Sequence, residues 1–323
     1  MRIYRSLAET PPDFGPSALT IGNFDGVHIG HRRILRRLKA LADEHGWKPS
    51  VLTFDPHPTR VVAPERSPRL MTSPEQRAQL MAEEGIEQVL ILPFTAEVAH
   101  LSPEEFVRQL LVERLGARAV LVGANFRFGY RQSGNIQVLE KLGQRMGFET
   151  VIVPAVTWRG RTVSSSGIRQ LILAGQVGLA ARCLQHAYAL EGPVVSGRGV
   201  GSKQTVPTLN LAPEAEVIPA RGVYVTHTRD LESERAWESI TNVGYRPTFG
   251  ASDELSTETY LLSPLAGGDP RRIRVEFLWR IRDERRFPSP EALRAQILKD
   301  VRAAQNYFRR VKSWIGRVPC VSS

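Results

Sequence analysis

The sequence predicts an α/β plus β protein: a domain built on a parallel sheet, then a small antiparallel β-barrel with a C-terminal helix. Three observations predict it. The chain has 323 residues, more than one ordinary core accommodates and comfortable for two. Its first half alternates short apolar runs with helical periodicity, the pattern of a parallel sheet with helices on its faces. After about residue 184 the apolar runs follow one another with only Gly, Pro, Asp and Ser clusters between them, which is the rhythm of a small barrel. The boundary is expected within 175–190, giving domains at 1–184 and 185–312 and a tail at 313–323.

Taken in order, residues 18–21 read as a strand and 34–42 as a helix, with Ile34, Leu35, Leu38 and Leu41 on one face. Residues 51–54, 88–92, 119–122 and 150–153 read as further strands, and 74–84, 103–115 and 136–146 as the helices between them. Ser73 before Pro74 and Ser102 before Pro103 each place a helix N-cap ahead of a proline in the first helical position. In the second half, 192–195, 222–228, 237–243, 257–262 and 273–279 read as strands. Residues 290–304 read as an amphipathic helix with Leu293, Ile297 and Val301 on one face.

Composition narrows the function classes. Hydrophobic residues are 42% and charged residues 24%, the balance of a globular protein. No stretch is long and apolar enough for a signal peptide or a membrane span, so a cytoplasmic protein without a membrane partner is expected. Cys183 and Cys320 are the only cysteines and lack ligand spacing, which argues against disulfide and zinc chemistry. Lys and Arg number 43 against 33 Asp and Glu, a net charge of +10. The basic residues are dispersed and not interleaved with aromatics, so they read as solvated surface and as a bias toward polyanionic ligands, not as a nucleic-acid track.

The densest motif is Gly22-Asn23-Phe24-Asp25-Gly26-Val27-His28-Ile29-Gly30-His31. It falls where the first strand ends and the first helix begins, a place that offers backbone N–H groups to phosphate. Gly22, Gly26 and Gly30 remove side chains where backbone turns or approaches a ligand. His28 and His31 lie three apart, so both can face one phosphate chain and stabilise charge that develops on it. The run is not a Walker A loop, since GxxxxGK[ST] is missing. Three more segments fall at strand ends or helix starts: Thr53-Phe54-Asp55-Pro56-His57-Pro58, Asn125-Phe126-Arg127-Phe128-Gly129, and Ser164-Ser165-Ser166-Gly167-Ile168-Arg169. His57 reads equally as a turn residue. Phe126 and Phe128, alternating around Arg127, read as ordinary core or as ligand contacts. The three serines read as an N-cap or a phosphate loop, two uses of the same orphan N–H groups.

Together these segments resemble the prokaryotic bifunctional riboflavin kinase/FAD synthetase family, whose first domain is a Rossmann-like nucleotidyltransferase. The resemblance implies that His28, His31 and Arg169 act in catalysis. It implies ATP or phosphate binding at Gly22, Phe24, Asp25, Gly26, Gly30, Ser164, Ser165 and Ser166, and flavin binding at Asn125, Arg127 and Phe128. Residues 190–305 resemble the riboflavin kinase domain through Pro207-Thr208-Leu209-Asn210, Asn242-Val243-Gly244-Tyr245 and Arg282-Asp283-Glu284. There the resemblance places Mg²⁺ and ATP phosphates on Thr208 and Asn210, the general base at Glu258, and a flavin-side contact at Arg282. The implied chemistry is phosphorylation of riboflavin to FMN by ATP, then adenylylation of FMN to FAD with release of pyrophosphate. The implied partners are riboflavin, FMN and ATP with Mg²⁺, on a monomer or weak homo-oligomer. The segment 201–206 departs from the family pattern, and Tyr260 stands where many members have His. This keeps open an FMN adenylyltransferase with an inactive or flavin-binding kinase-like domain.

Overall fold

Consecutive apolar residues of the first half alternate between two buried layers. Ala18, Val51, Val89, Ile91, Ala119 and Leu121 belong to one cluster, while Leu19, Leu52, Leu90, Val120 and Val122 belong to the other. That is the signature of strands buried on both faces. The computed structural model describes residues 1–195, 208–233, 235–246, 254–265 and 267–315. These divide into two units, Met1–Ser165 and Ser166–Ser323.

The first unit carries β1 (Arg2–Tyr4), β2 (Ser17–Ile21), α1 (Ile29–His45), β3 (Lys48–Asp55), α2 (Pro58–Val62), α3 (Pro74–Ala82), β4 (Gln88–Pro93) and α4 (Ala96–His100). It continues with α5 (Pro103–Glu105), β5 (Ala117–Gly123), α6 (Ile136–Met146), β6 (Glu149–Val153) and the small hairpin β7 (Thr157–Trp158) and β8 (Arg161–Thr162). The sheet order is β1-β4-β3-β2-β5-β6, every pair parallel. The chain steps from β2 to β3 and β4 on one side, then returns to place β5 and β6 on the other. β2 and β5 therefore flank the point where strand order reverses, the customary ligand crevice of such sheets.

Two elements differ from the periodicity. α1 begins at Ile29, because His28 caps it. The segment expected as one α-helix opens as α5 and then runs as a π-helix over Phe106–Arg114. β1, α2, α4 and the β7–β8 hairpin are too short to carry a period.

The boundary falls after the first residue of α7 (Ser165–Leu173), and α8 (Val177–Leu184) follows in the second unit. Six strands follow: β9 (Tyr188–Val195), β10 (Thr208–Leu211), β11 (Gly222–Asp230), β12 (Ala236–Arg246), β13 (Glu254–Leu261) and β14 (Arg272–Asp283). They close as a barrel in the order β10-β13-β12-β11-β14-β9, all antiparallel. β10 was not among the predicted strands. α9 (Pro290–Ile315) runs past the predicted residue 304, because Ala304 and Phe308 continue its apolar face onto Val223, Val225 and Ile240. Inside the barrel Thr226 bonds Ser239 and Thr241 at 2.8 Å, and Thr241 bonds Thr259 at 3.0 Å, so buried hydroxyls satisfy one another. Cys183 is a buried free thiol. The segment 201–206, most of the tail and Cys320 lie outside the described residues.

α1 is tied to the end of α3 by a buried ion network. Glu84 accepts from Arg32 and, at 2.6 Å, from Arg36 Nε; Arg32 and Glu84 are 7% and 6% exposed. Burial pushes the Glu84 carboxyl up, but hydrogen bonds from Arg36 and Arg32 outweigh it and hold it below its ordinary value. Removing one partner of such a pair strands a buried charge. Glu84→Gln is therefore expected to destabilise the first unit by about 3–5 kcal/mol, read as a lower urea midpoint.

Candidate functional site

The motif loops follow three adjacent strands. Gly22 to His28 follow β2, Pro56 to His57 follow β3, and Ala124 to Phe128 follow β5, with β2 bonded to both neighbours. Their convergence at the carboxyl ends is a consequence of strand order, not of sequence distance.

The loop after β2 is held from one side by Asp25, which is 2% exposed. Its carboxylate accepts from Met71 N at 2.9 Å, Thr72 N at 3.2 Å and Thr72 Oγ1 at 3.1 Å. Thr72 Oγ1 accepts in turn from Gly26 N at 3.2 Å. Ser165 Oγ donates to Asp25 O at 3.0 Å, which ties Ser165 to the glycine loop. Between these fixed points Phe24, Gly26 and Val27 have φ of 50°, 79° and 38°. Such values are disfavoured for a bulky residue and for a β-branched one, and the surrounding bonds hold the chain there. Gly26 is the member of the three for which the conformation costs least.

His28 is the N-cap of α1. Its Nδ1 accepts from Gly30 N at 3.1 Å and His31 N at 3.4 Å. An imidazole nitrogen that accepts carries no proton, so the ring proton is on Nε2 and His28 is a neutral donor there. A Cβ on Gly30 would stand 3.0 Å from His28 Cε1; the glycine makes room for the folded-back ring. His28 and His31 stack with centroids 3.7 Å apart, and Phe24 meets His31 edge-on at 5.1 Å. Gly22 lies against the Phe24 ring. Burial pushes His28 down to about 4, and burial plus the neighbouring His28 pushes His31 well below 6.5. Both rings are neutral at pH 7. Among the described residues His31 Nδ1 is buried and has no hydrogen-bond partner.

A second histidine caps a helix in the same way. His57 Nδ1 accepts from Thr59 N at 3.2 Å at the start of α2. Asn23 Nδ2 stands 2.8 Å from His57 Nε2. With Nδ1 accepting, Nε2 carries the proton, so the pair is a hydrogen bond with the Asn23 carboxamide turned to present Oδ1. Neither Asn23 nor Thr72 is marked by its type alone: Asn23 lies inside the Gly22–His31 motif, and Thr72 directly precedes the Ser73 cap.

Past β5, Asn125 and Arg127 are exposed and Phe128 is buried. Phe128 packs between Phe106 and Phe126, at 5.8 and 5.4 Å, which leaves Phe126 as the more open ring of the pair. Ser164 is exposed. Ser166 and Arg169 belong to the second unit, where Arg169 Nη1 stands 3.4 Å from Ser166 Oγ.

In the barrel, register sets Glu258 on β13 between two amides. It pairs with Asn210 of β10 on one side and Asn242 of β12 on the other. Thr208 is two residues before Asn210 on the same face of β10. Thr208 is exposed, Asn210 buried, and Glu258 half-buried. Asn242 is the member of this row that residue-type reasoning passed over, since only the register puts it beside Glu258. Arg282 grips α9 instead of standing free. Its Nε and Nη2 donate to Asp300 at 3.0 and 2.8 Å, with Gln296 Nε2 on the other Asp300 oxygen at 2.7 Å.

Comparison with known proteins agrees with this division. The FAD synthetase family matches residues 10–167 and the riboflavin kinase family matches 184–308. A Pseudomonas fluorescens protein named bifunctional riboflavin kinase/FMN adenylyltransferase is 34% identical, over 94% of this chain and 97% of its own. An Escherichia coli K12 protein of the same name is 32% identical, over 97% and 98%. A solved Streptococcus pneumoniae structure described as a macrolide-efflux protein matches at a TM-score of 0.82 and 26% identity, covering 94% of this chain and 98% of that one. No helix among the described residues is long and apolar enough to cross a membrane.

The neutral histidines leave a pH signature. Unfolded histidine titrates near 6.5, whereas folded His28 titrates at about 4. Between those values the unfolded chain binds a proton that the folded one refuses, so stability is full above about pH 6.5 and falls as pH drops. For His28 the loss reaches about 3 kcal/mol. His28→Asn keeps a capping side chain that does not titrate. Its urea midpoint is expected to fall less steeply than wild type between those pH values; an unchanged slope would contradict the buried neutral cap.

Proposed function

The chain belongs to the bifunctional riboflavin kinase/FMN adenylyltransferase family, and from that premise we propose which residues perform each reaction. The FAD synthetase comes first in the chain and the riboflavin kinase second, with functional divisions at 1–184 and 185–312.

For adenylyl transfer, an FMN phosphate oxygen attacks the ATP α-phosphorus; that P–O bond forms as the bond to the pyrophosphate oxygen breaks. Negative charge builds on the α-phosphate oxygens. The observation that carries the reading is the His28 cap: Nδ1 is fixed on the backbone at 3.1 Å, so Nε2–H is a pre-oriented neutral donor at a helix N-terminus. His31, Arg169 and the hydroxyls of Ser164 and Ser166 supply further donors. Gly22, Gly26 and Gly30 shape the loop that receives the phosphates. Asp25 is assigned to positioning, because its carboxylate is already committed to residues 71 and 72. Asn125 and Arg127 are the flavin contacts, and Phe128 supports Phe126 behind them.

For kinase chemistry, Glu258 accepts the proton of the riboflavin 5′-hydroxyl as that oxygen attacks the γ-phosphorus and ADP leaves. Asn210 and Asn242 flank the carboxylate in register. The hydroxyl of Thr208 and the carboxamide of Asn210 are neutral oxygen donors, suited to a hard cation that keeps several waters and phosphate oxygens. They would hold Mg²⁺, which when bound neutralises the ATP phosphates. Arg282 acts on the flavin side by anchoring α9 through Asp300. The partners are riboflavin, FMN and ATP, and the setting is a cytoplasmic monomer or weak homo-oligomer.

Purified protein given riboflavin, ATP and Mg²⁺ is expected to yield both FMN and FAD on chromatographic separation. FAD formed only from added FMN would favour the silent-kinase alternative, and no conversion of either flavin would sink the proposal. Glu258→Gln is expected to lower FMN formation by at least about 10²-fold while FAD formation from supplied FMN continues; equal loss of both would refute the assignment of the base.

A further inference from the structure

The polypeptide around α3 grips the loop after β2 at two points, and the motif accounts for only one. The first is Asp25 on the backbone of Met71 and Thr72, just before α3. The second comes from Arg77, inside the first turns of α3, whose Nη1 donates to Asn23 O at 2.8 Å. Thr53 Oγ1 stands 3.5 Å from the same oxygen. The start of α3 is itself fixed by a capping box, with Ser73 Oγ accepting from Gln76 N and Gln76 Oε1 accepting from Ser73 N.

Arg77 is 1% exposed, and among the described residues its Nε and Nη2 have no hydrogen-bond partner. Burial pushes its pKa down, while Asp25, Asp55 and Glu75 oppose that. A guanidinium buried with most of its fork unmatched is costly, and an apolar side chain would fill the same space at lower cost. Its directed contact with the protein is the Asn23 carbonyl. Asn23 in turn bonds His57 through its carboxamide, and His57 caps α2. A continuous string thus runs from α3, beneath the loop after β2, to the loop after β3.

We propose that Arg77 is a positioning residue for adenylyl transfer: by fixing Asn23 it holds the loop after β2 and His57 in one mutual geometry. The inference rests on adenylyl transfer occurring in this unit, and the experiment separates the two.

Arg77→Met keeps an unbranched stem as far as the position of Nε and removes the fork. In the full chain, kcat for FAD formation from FMN and ATP is expected to fall on the order of 10²-fold, the scale of misplacement at a reacting centre. KM for both substrates is expected to stay near wild type, and FMN formation from riboflavin to continue. Arg77→Lys, with the charge and a donor retained, is expected to restore part of kcat. Wild-type kinetics in a folded Arg77→Met, or a rise in KM with kcat unchanged, would overturn the proposal. If Arg77→Met fails to fold by circular dichroism, Arg77→Lys decides the matter: a flexible ammonium does not reproduce the fixed direction of the fork, so kcat must still fall below wild type with KM unmoved, and wild-type kcat overturns the proposal. Wild-type protein that forms no FAD from FMN would instead defeat the adenylyl assignment itself.

Discussion

Everything at the first site depends on one buried carboxylate. Asp25, taking hydrogen bonds from Met71 and Thr72, fixes a loop whose neighbours Phe24 and Val27 hold disfavoured backbone angles. A free loop would relax from these angles, since each costs on the order of 1–3 kcal/mol. Once Asp25 is pinned, Gly26 is placed on Thr72, Val27 turns the chain, and His28 arrives at the first turn of α1 with its ring over the backbone. The carboxylate of this motif thus acts on the shape of the loop, through the backbone of residues 71 and 72.

The two units order their polar side chains by different means. The first places imidazoles and backbone amides at helix starts, with each ring oriented by the backbone N–H groups that it accepts from. His28 and His57 share one device: Nδ1 caps a helix and the proton is thereby confined to Nε2. The second unit uses a ladder. Asn210, Glu258 and Asn242 stand side by side because antiparallel register puts them there, and the closed barrel fixes that register from both edges. Around the ladder, Arg282 and Asp300 join α9 to β14, so the helix that covers the barrel is also held by ionic contact.

Much of this was legible in the sequence because it depends on short-range order. The strand–helix rhythm to residue 153, the serine–proline helix starts, and the switch to closely spaced strands are local patterns, and the sheet and barrel follow from them. The exact span 136–146 of α6 was legible because Asn135 caps it and Gly147 ends it. The early start of α1 was not, because no apolar period marks a turn held by a histidine ring. The π-helical course of 106–114 was not, because its buried residues Phe106, Val107, Leu110 and Leu111 also fit an α-helical stripe over so short a span.

By itself the sequence determined two domains, the order of their chemistries, and which short segments are the candidates for them, since glycines, histidines and hydroxyls at strand ends are encoded within a few residues of one another. Only the tertiary structure decided which residues each of them meets. Asp25 meets residues 71 and 72, Arg77 reaches back to Asn23, Phe128 enters the core between Phe106 and Phe126, and Asn242 lines up with Glu258. Each of these pairings joins positions separated along the chain, and they become neighbours only through strand order and register. Burial then fixes the protonation of His28 and His31, a property of surroundings that no residue carries alone.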